Sequence, residues 1–531
     1  MPSVNSEFDI IIIGSGMGCM TCAALMAKLF KKKVLVLEQH FVAGGFTHEF
    51  ARQNKYQWDV GLHYVGQMEN DTLPRQIFDL ITDNQLQWHK MSAHFEKFVY
   101  PDFSFLVSAQ LDKYIADLIA QFPKEAAAIK TYFRDVNKVA KWSWRHHLAS
   151  VFPLPLRLPV QLMNFVNKNK ALQTTEQYLS QHFQDDKLKA LLASQWGDYG
   201  LPPSQSAFVI HAAIVHHYFK GAYYPVGGAQ QIAKNISAVV EKAGGQFLTR
   251  HAVTEIIVNN NQAIGVKVKA KTGATEQQEE YFAPAIVSGV GAVNTFLRLL
   301  PQSSRLPFIE EIKAFPKGNT ALSLYIAFKE SPEKLGFKGE NHWLFESYDH
   351  NQAVKGDTLL DNINSCFLSF PSLKDPEATV HTAEIIKICD CYGFFEKWQA
   401  QAWKNRAPEY YDLKEKITDN LLNLVEKHYP GFKALVEYTE LSTPLTLEHF
   451  THRLHGAMYG VPEIPARYQQ KWLTAKTPIK NLYLTGSDVW SLGIAGAMMG
   501  GVVTASVLAG RWGLFKIIRG VKKERVKNEK C

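Results

Sequence analysis

The first forty residues constrain the fold most, because they follow a fixed order of strand, glycine-rich turn, helix, strand and acidic residue. Residues 8–13 (FDIIII) form a branched-aliphatic run that is typical of a strand buried on both faces of a parallel sheet. The small and apolar residues 17–30 predict a helix, and residues 34–37 (VLVL) predict a second buried strand that ends at Glu38. This order predicts a βαβ unit.

The turn between the first strand and the helix contains three glycines, Gly14, Gly16 and Gly18. Glycine lets the chain bend sharply and lets a pyrophosphate approach the backbone, while the helix N-terminus offers free N–H groups to the anion. Ser15 and Met17 lie between these glycines and are predicted to belong to the same site. Glu38 is placed to accept hydrogen bonds from ribose hydroxyls. The pattern therefore predicts a dinucleotide cofactor.

Two later segments favour FAD over NAD. Gly44 and Gly45 form a second loop of exposed backbone that could meet the rest of a longer cofactor. Residues 482–488 (LYLTGSD) predict a strand that leads through Gly486 to Asp488, followed by a helix of small residues whose N-terminus could face the flavin. The Asp488 carboxylate is expected to hold a ribityl or ribose hydroxyl, and an ordinary turn and helix cap is the alternative. Further predicted cofactor contacts are Val253, Gly289 and Ile494.

Several stretches together resemble the retinol saturase branch of the flavin-dependent phytoene desaturase and carotenoid isomerase family. They are 34–49 (VLVLEQHFVAGGFTHE), 58–66 (WDVGLHYVG), 224–228 (YPVGG), 243–245 (AGG), 455–460 (HGAMYG) and 484–496 (LTGSDVWSLGIAG). The resemblance implies a Rossmann-type FAD domain, a substrate domain and peripheral association with membranes. It also implies an activity that adds hydrogen across one double bond of a polyene, or that moves or isomerises such bonds. The sequence departs from the family pattern at Cys19 and Phe46.

The predicted fold is of the α/β class, with a discontinuous Rossmann-type FAD-binding domain, an inserted α+β substrate domain and a basic amphipathic tail. The FAD-binding domain is assigned to residues 1–90, 225–300 and 440–510. The substrate and membrane-facing domain is assigned to residues 91–224 and 301–439, and the tail to residues 511–531. Within the FAD-binding part, residues 253–258 and 263–269 read as a hairpin because asparagines separate them.

The reduction of a conjugated alkene needs a hydride from the flavin and a proton on the neighbouring carbon. His63 and Tyr64 (GLHYVG) are the first candidates for the proton donor, because the resemblance carries this pair beside the flavin. Tyr459 (HGAMYG) is the second. The alternatives are a histidine that shapes the pocket through hydrogen bonds and a tyrosine packed in the core. No metal ligands are assigned.

The positive charge is concentrated at the C-terminus. The chain has a net charge of +8, and residues 511–531 carry eight Lys or Arg and two Glu. Apolar residues alternate with basic ones there, as in an interfacial helix, which favours an anionic membrane surface as partner and not nucleic acid. Residues 136–175 contain six Lys or Arg and no acidic residue, with tryptophans and three prolines, and predict a loop that dips into the membrane or an apolar lid. The uncharged residues 489–510 are not assigned to a transmembrane helix.

The sequence thus predicts a peripheral membrane protein on the cytoplasmic side, since six cysteines in 531 residues indicate a reducing compartment. Its expected activity is the FAD-dependent saturation of a double bond in a retinoid, a carotenoid or a related polyisoprenoid. A carotenoid cis-trans isomerase and a desaturase are the enzymatic alternatives, and a flavin or lipid carrier at the membrane surface is the alternative without turnover. The electron donor is not identified, because a second dinucleotide fingerprint is not evident.

Overall fold

The structure is a computed structural model that describes residues 7–149, 151–273, 275–304 and 306–528. Its strands are β1 (Ile10–Ile13), β2 (Val34–Leu37), β3 (Glu49–Arg52), β4 (Tyr56–Asp59), β5 (Val65–Gly66), β6 (Trp88–Lys90), β7 (His94–Val99), β8 (Ser104–Ser108), β9 (Ala222–Pro225), β10 (Gln246–Leu248), β11 (His251–Asn259), β12 (Gln262–Thr272), β13 (Thr275–Phe282), β14 (Ala285–Ser288), β15 (Thr320–Phe328), β16 (Asn341–Phe345), β17 (Ser365–Ser369), β18 (Thr382–Cys389), β19 (Val436–Ser442) and β20 (Leu482–Leu484).

The α-helices are α1 (Met17–Phe30), α2 (Leu73–Ile81), α3 (Leu111–Gln121), α4 (Ala126–Leu148), α5 (Leu154–Phe165), α6 (Lys168–Leu172), α7 (Thr175–His182), α8 (Asp186–Ala193), α9 (Phe208–His217), α10 (Gln230–Lys242), α11 (Ala292–Asn294), α12 (Ile309–Ala314), α13 (His350–Ala353), α14 (Pro371–Lys374), α15 (Pro408–His428), α16 (Phe432–Leu435), α17 (Pro444–Thr451), α18 (Gly493–Leu508) and α19 (Gly513–Asn528). Among the residues that the structure describes, none of these helices has the length and hydropathy that a membrane span requires.

A five-stranded parallel sheet contains the predicted βαβ unit. Its strand order is β10-β2-β1-β14-β20, and every neighbouring pair is parallel. The central strand β1 consists of four isoleucines that are buried on both faces, which is what a parallel sheet covered on both sides requires. Helix α1 connects β1 to β2 as predicted. The predicted α/β fold class is therefore confirmed.

The strands of this sheet come from distant parts of the chain, with β1 and β2 near the N-terminus and β20 near the C-terminus. The second large sheet is seven-stranded, in the order β19-β15-β18-β17-β16-β7-β8, and all of its pairs are antiparallel except β16 with β7. The domain limits stay a prediction, and strand β19 crosses the predicted limit at residue 440. Residues 1–6, 150, 274, 305 and 529–531 of the assigned domains lie outside the described residues.

The seven-stranded sheet has two differently packed faces because side chains alternate along a strand. In β15, Leu322, Leu324 and Ile326 pack with α15 in one hydrophobic cluster. The alternate residues Ala321, Ser323 and Tyr325 point to the opposite face, which borders a large cavity. This sheet therefore separates a core from a binding space.

The hairpin predicted between residues 253 and 269 is present as the antiparallel pair β11 and β12. Its turn consists of Asn260 and Asn261, whose φ angles are 49° and 57°. Two consecutive residues with positive φ are the mark of a type I′ turn, the connection that suits the twist of a two-residue hairpin, and asparagine tolerates this conformation well. The sequence signal is thus explained by local backbone geometry.

Glycines let helices α1 and α18 approach each other closely. A Cβ on Gly18 would lie 2.4 Å from Gly486 Cα, and a Cβ on Gly501 would lie 2.4 Å from the Gly18 carbonyl oxygen. A Cβ on Gly500 would meet the Gly486 carbonyl oxygen at 2.1 Å. No side chain fits at these positions. The glycines therefore allow α1, near the N-terminus, and α18, near the C-terminus, to pack closely together.

The basic tail forms helix α19, and its packing corrects one prediction. Leu514, Ile517 and Val521 are buried against the protein and do not face outward. Lys28 contributes an ion pair to Glu524 of this helix, with 3.4 Å between Nζ and Oε2. The apolar face of α19 packs against helices α18, α2 and α1, so the residues on its other side are the ones exposed to solvent.

The segment predicted as a dipping loop is also different in the structure. Residues 154–165 form helix α5, although Pro159 lies inside it. Helix α5 packs on α4, where Trp142 donates its indole N–H to the Asn164 carbonyl oxygen at 2.7 Å. A proline removes only one hydrogen bond of a short helix, and the tertiary contact with α4 outweighs this loss.

Candidate active site

A cavity of about 1220 Å³ lies between the two large sheets. Ile13, Leu37, Gly289 and Gly486 line it, and each of them ends or directly follows a strand of the parallel sheet or the turn after it. Ligands of open α/β sheets bind at this carboxyl edge. Small-ligand pockets hold roughly 300–1,000 Å³, so this cavity has space for an extended cofactor together with part of a substrate.

The predicted glycine turn forms one end of the cavity. Gly14 has a φ of +93°, a conformation that residues with a side chain rarely adopt. Gly16 has no such constraint, and a Cβ built on it meets no atom within 4 Å because it faces the cavity. Glycine at this position leaves room for a ligand and is not needed for packing. Met17 and Gly18 line the same end.

Glu38 and Ser15 connect three loops beside this turn. Ser15 donates to Glu38 Oε2 from its backbone N–H at 2.8 Å and from its hydroxyl at 2.6 Å. Gly44 donates its N–H to Ser15 Oγ at 2.9 Å, and His40 donates its N–H to Glu38 Oε1 at 2.8 Å. Both Ser15 and Glu38 line the cavity. Glu38 is therefore held rigidly, with carboxylate lone pairs left to accept further donors.

The second glycine loop packs against the first. Gly44 has a φ of +128° and Gly45 a φ of +57°, and a Cβ on Gly45 would lie 2.9 Å from Gly16 Cα. Gly289 is similarly confined, since a Cβ there would lie 2.0 Å from Cys19 Sγ. The unusual Cys19 thus fills space beside β14. Further predicted contacts on the wall of the cavity are Val253, Gly486 and Ile494.

These residues fit an FAD molecule. Helix α1 has Gly16 as its N-cap and no capping side chain, so the N–H groups of its first turn are offered to an anion. Helix α18 also begins at the cavity without a side-chain cap, at Leu492 and Gly493. One cavity therefore provides a cradle for a pyrophosphate, an acidic partner for a ribose and a second helix N-terminus.

Asp488 is placed differently from the prediction. Its side chain is buried and does not belong to the cavity lining. The carboxylate accepts hydrogen bonds from the N–H of Ala292 at 2.7 Å and from the N–H of Val461 at 3.4 Å. Arg467 lies near it, with Nη1 3.9 Å from Oδ1. Buried N–H groups need acceptors, so Asp488 connects the segments around β14 and β20 and does not present its oxygens to the cavity.

The far wall of the cavity is apolar and aromatic. It is the face of the seven-stranded sheet that carries Ala321, Tyr325, Trp343, Phe367, Ile386 and Ile388. These side chains come from the neighbouring strands β15 to β18 and form one continuous surface. An extended apolar ligand gains free energy on such a surface because its area is removed from water. The sequence predicted an extended apolar substrate, but it did not identify the residues of this wall.

His63 lines the cavity as an uncharged imidazole. Burial lowers its pKa to about 3, and the positive charge of Lys374 acts in the same direction. Its Nδ1 atom lies 2.8 Å from Glu384 Oε2, although the two atoms are not aligned as a hydrogen bond. Burial also raises the pKa of Glu384, to about 8. At neutral pH His63 therefore holds no imidazolium proton to donate.

Tyr64, the neighbour of His63, lies behind the wall of the cavity and not in its lining. Its hydroxyl is within hydrogen-bond distance of two carboxyl groups, at 2.5 Å from Glu96 Oε1 and 2.7 Å from Asp198 Oδ2. Asp198 is the member of this group that lines the cavity. Tyr64 thus belongs to a cluster with Glu96 and Asp198, and the sequence did not predict these two carboxyl groups.

Tyr459, the second candidate for the proton donor, lines the cavity close to the same group. Its hydroxyl donates to the Gly197 carbonyl oxygen at 3.2 Å, and its ring packs against Gly200. Burial raises the pKa of Tyr459 above its ordinary value. The hydroxyl proton is therefore engaged with the backbone.

Two more polar residues of the lining were not found from the sequence. Asp198 is the only acidic residue in the stretch 187–203, which is otherwise rich in apolar and aromatic residues, and this isolation is the signal that could have identified it. Arg453 has its guanidinium 5.3 Å from the ring centre of Phe46 and donates to the Met458 carbonyl oxygen. No local pattern distinguishes Arg453 from a surface arginine.

Comparison with known proteins agrees with this geometry. A family model described as flavin containing amine oxidoreductase matches residues 20–509. An all-trans-retinol 13,14-reductase of Danio rerio is 34% identical and aligns over 96% of this chain and 87% of its own length. The chloroplastic prolycopene isomerase of Arabidopsis thaliana is 26% identical over 96% of this chain and 84% of its own length.

Among solved structures, cyclohexylamine oxidase from Brevibacterium oxydans superimposes with a TM-score of 0.58. It covers 98% of this chain and 99% of its own, at 14% identity, so it establishes a common fold. The resemblance found in the sequence is confirmed by the family match and by the relatives above 30% identity. The chain belongs to the family of flavin-containing amine oxidoreductases, in the branch that contains the all-trans-retinol 13,14-reductases, and its cofactor is FAD.

Proposed function

We propose that this protein saturates one carbon–carbon double bond of a retinoid, a carotenoid or a related polyisoprenoid, as its relatives named all-trans-retinol 13,14-reductase do. The observation that carries the proposal is the continuity of the cavity. The same space is lined by Gly16 of the dinucleotide turn and by Trp343 and Phe367 of the aromatic wall. A long apolar substrate on this wall would lie within the space that also holds the cofactor.

Individual roles follow from where the residues lie. Gly14, Ser15, Gly16, Met17 and Gly18 would hold the pyrophosphate through backbone N–H groups, and Glu38 would accept the ribose hydroxyls. The remaining contacts proposed for FAD are Gly44, Gly45, Val253, Gly289, Gly486 and Ile494. Asp488 would act indirectly, by holding the segments around β14 and β20 in place.

Reduced FAD, when bound, supplies the hydride for one carbon of the double bond. The chain itself has three tasks. Trp343, Phe367 and Ile388 orient the substrate by burying its apolar surface. Closely packed aromatic side chains exclude water from the reacting carbons. A proton must reach the neighbouring carbon from a group on the wall of the cavity.

The proposed function is tested with the purified holoprotein, reduced with dithionite without oxygen and mixed with all-trans-retinol. We expect a product that is heavier by two hydrogen atoms and absorbs at shorter wavelength, together with reoxidation of the flavin. The holoprotein without reductant serves as the control. An unreacted retinol and a flavin that stays reduced with every polyene would contradict the proposal and support a carrier.

A second candidate activity is the cis-trans isomerisation of a carotenoid, which the prolycopene isomerase relatives favour. Isomerisation leaves the mass of the substrate unchanged, whereas saturation adds two hydrogen atoms and desaturation removes them. Mass spectrometry of the products from retinol and from a poly-cis carotene therefore separates the three activities in one experiment.

We also propose that the protein binds an anionic membrane, on the cytoplasmic side, through a surface centred on α5. This α5 surface consists of exposed apolar side chains, Leu156, Leu158, Leu162, Met163, Phe165 and Val166. Six large apolar residues exposed within eleven positions support an interaction surface, because such residues normally lie singly on a protein exterior.

The charges around the α5 surface favour anionic lipid. Residues 151–170 contain Arg157, Lys168 and Lys170 and no acidic residue. The exposed start of α19 lies next to this segment, since the Phe152 and Phe515 rings are 6.5 Å apart. Trp512 and Phe515 are exposed there, and basic residues follow along the helix. Apolar side chains beside cationic ones are the arrangement that an anionic lipid surface attracts.

A further inference from the structure

Two carboxyl groups share one tyrosine hydroxyl at the wall of the cavity. Tyr64 Oη lies 2.5 Å from Glu96 Oε1 and 2.7 Å from Asp198 Oδ2. The three residues come from the loop before β5, from β7 and from the segment after α8, so only the folded chain brings them together. Glu96 and Tyr64 are buried, whereas Asp198 is half-buried and borders the cavity.

Counting hydrogen atoms assigns the protons in this group. A tyrosine hydroxyl has one hydrogen, so it can donate to one carboxylate only, and it must accept a hydrogen from the other carboxyl group at such short distances. Glu96 has further donors, the Trp343 indole N–H at 3.0 Å and the Gln195 amide at 2.7 Å. Glu96 is therefore the ionised carboxylate, and Tyr64 donates its hydroxyl hydrogen to it. Asp198 must then carry a proton and donate it to Tyr64 Oη.

Burial raises the pKa of Glu96 to about 7, against the hydrogen bonds from Tyr64, Trp343 and Gln195 that lower it, so Glu96 and Asp198 compete for one proton and these donors place the negative charge on Glu96. Burial raises the pKa of Asp198 well above its usual range, and the negative charge of Glu96 adds to the increase, while the hydrogen bond with Tyr64 opposes it. The other titratable groups around Asp198 are tyrosines, Tyr199, Tyr218 and Tyr459, and Lys374 acts on Glu96. None of these tyrosines is charged at neutral pH, because burial raises their pKa values as well.

Accordingly, we infer that Asp198 is the proton donor of the reaction, with Tyr64 and Glu96 as positioning residues, an assignment that rests on the proposed function. Bound reduced FAD would supply the hydride to one carbon of the double bond; the Asp198 hydroxyl would turn from Tyr64 Oη, its O–H bond would break, and its proton would form the C–H bond at the neighbouring carbon. Tyr64 then turns its hydrogen from Glu96 to the new Asp198 carboxylate. A proton from solvent restores the acid.

The other candidates are less suited to this step. His63 is neutral, since its pKa is lowered to about 3 by burial. The Tyr459 hydroxyl is a weaker acid than a carboxyl group, and burial raises its pKa further above its ordinary value. Asp198 differs from both because it holds an acidic proton at neutral pH and borders the cavity beside the aromatic wall.

The first test uses Asp198→Asn, which preserves the shape of the side chain and removes the acid. We expect unchanged FAD content and unchanged reduction by dithionite, with polyene-dependent flavin reoxidation slowed by roughly 10²-fold or more. Asp102→Asn is the matched control, because Asp102 also accepts a hydrogen bond from a tyrosine, Tyr348, but lies exposed and outside the cavity. Reoxidation of Asp198→Asn at the wild-type rate would overturn the inference.

The second test reads the proton directly and needs no substrate. Infrared spectra of the holoprotein at neutral pH should contain carbonyl absorption from protonated carboxyl groups, and the component that belongs to Asp198 should be lost in Asp198→Asn. If Asp198→Asn retained the full intensity of this absorption, the assignment of the proton to Asp198 would be wrong. If wild-type protein reduces no polyene at all, the proposed function has failed, and this band alone decides whether Asp198 carries the proton.

Glu96→Gln tests the positioning role and covers the case in which Asp198→Asn does not fold. The rate depends on protonated Asp198, so it should fall as the pH rises through the pKa of this group. Removal of the Glu96 charge lowers that pKa, since the charge raises it in the wild type. The alkaline limb of the rate profile should therefore move to lower pH in Glu96→Gln. An unmoved limb would contradict the coupling.

Discussion

Gly16→Val should lose most of its affinity for FAD and yet remain folded. A Cβ at this position meets no protein atom within 4 Å, and the side chain would project into the end of the cavity that is suited to the pyrophosphate. We expect a loss of roughly a hundredfold in FAD affinity, which corresponds to ~2.7 kcal/mol. The apoprotein should be destabilised by no more than ~1 kcal/mol, because only a glycine N-cap is lost.

Fluorescence titration of the apoprotein with FAD measures the affinity, and thermal unfolding measures the stability. Gly393→Val is a suitable control, because a Cβ on Gly393 also meets open space but lies away from the cavity. Its FAD affinity should equal that of the wild type. If Gly16→Val binds FAD as tightly as this control, the pyrophosphate does not lie at the glycine turn.

The triple variant Leu158→Ser, Leu162→Ser and Phe165→Ser should detach the protein from membranes. These side chains are 65%, 74% and 82% exposed, so their removal costs the folded protein little. Burial of three such side chains in lipid contributes about 4 kcal/mol, and we expect vesicle binding to weaken by roughly a thousandfold. Flotation with vesicles that contain phosphatidylserine measures this effect, and FAD content should stay unchanged.

Leu106→Ser with Leu454→Ser is the matched control, because both leucines are also exposed but belong to β8 and to the segment after α17. The control protein should float with vesicles as the wild type does. High salt should weaken the binding of the wild type in part, since the basic residues near the α5 surface act through screened charge. Flotation of the triple variant at the wild-type level would place the membrane contact elsewhere.

These experiments address separate parts of the molecule. The glycine turn concerns cofactor binding, Asp198 concerns proton transfer, and the α5 surface concerns access to a lipid-soluble substrate. Helix α5 packs on α4, and α4 reaches toward the cavity through Trp144, whose ring lies 5.0 Å from that of Trp490. Trp490 belongs to the segment between β20 and α18, which also contributes Leu492 to the cavity lining.

Much of the cofactor site was predictable because its signals are local. The order of Ile10–Ile13, the glycines at 14, 16 and 18, and helix Met17–Phe30 is a contiguous pattern, and its geometry follows from the backbone requirements of a tight turn. The hairpin at Asn260 and Asn261 was predictable for the same reason. The direction of a side chain was harder to predict from the sequence. Asp488 follows the pattern of a cofactor ligand, but its carboxylate accepts hydrogen bonds from two buried N–H groups.

The amino-acid sequence by itself determined the βαβ unit and its glycine turn, since both depend on residues close together in the chain, and with the C-terminal segment 482–488 it also indicated the class of cofactor. Tertiary structure alone decided which acid stands at the cavity, because Tyr64, Glu96 and Asp198 are far apart in sequence and are joined by packing around the seven-stranded sheet. It also decided that α19 buries its apolar face while α5 exposes one. Both helices have amphipathic sequences, and only the available neighbours distinguish a core face from a membrane face.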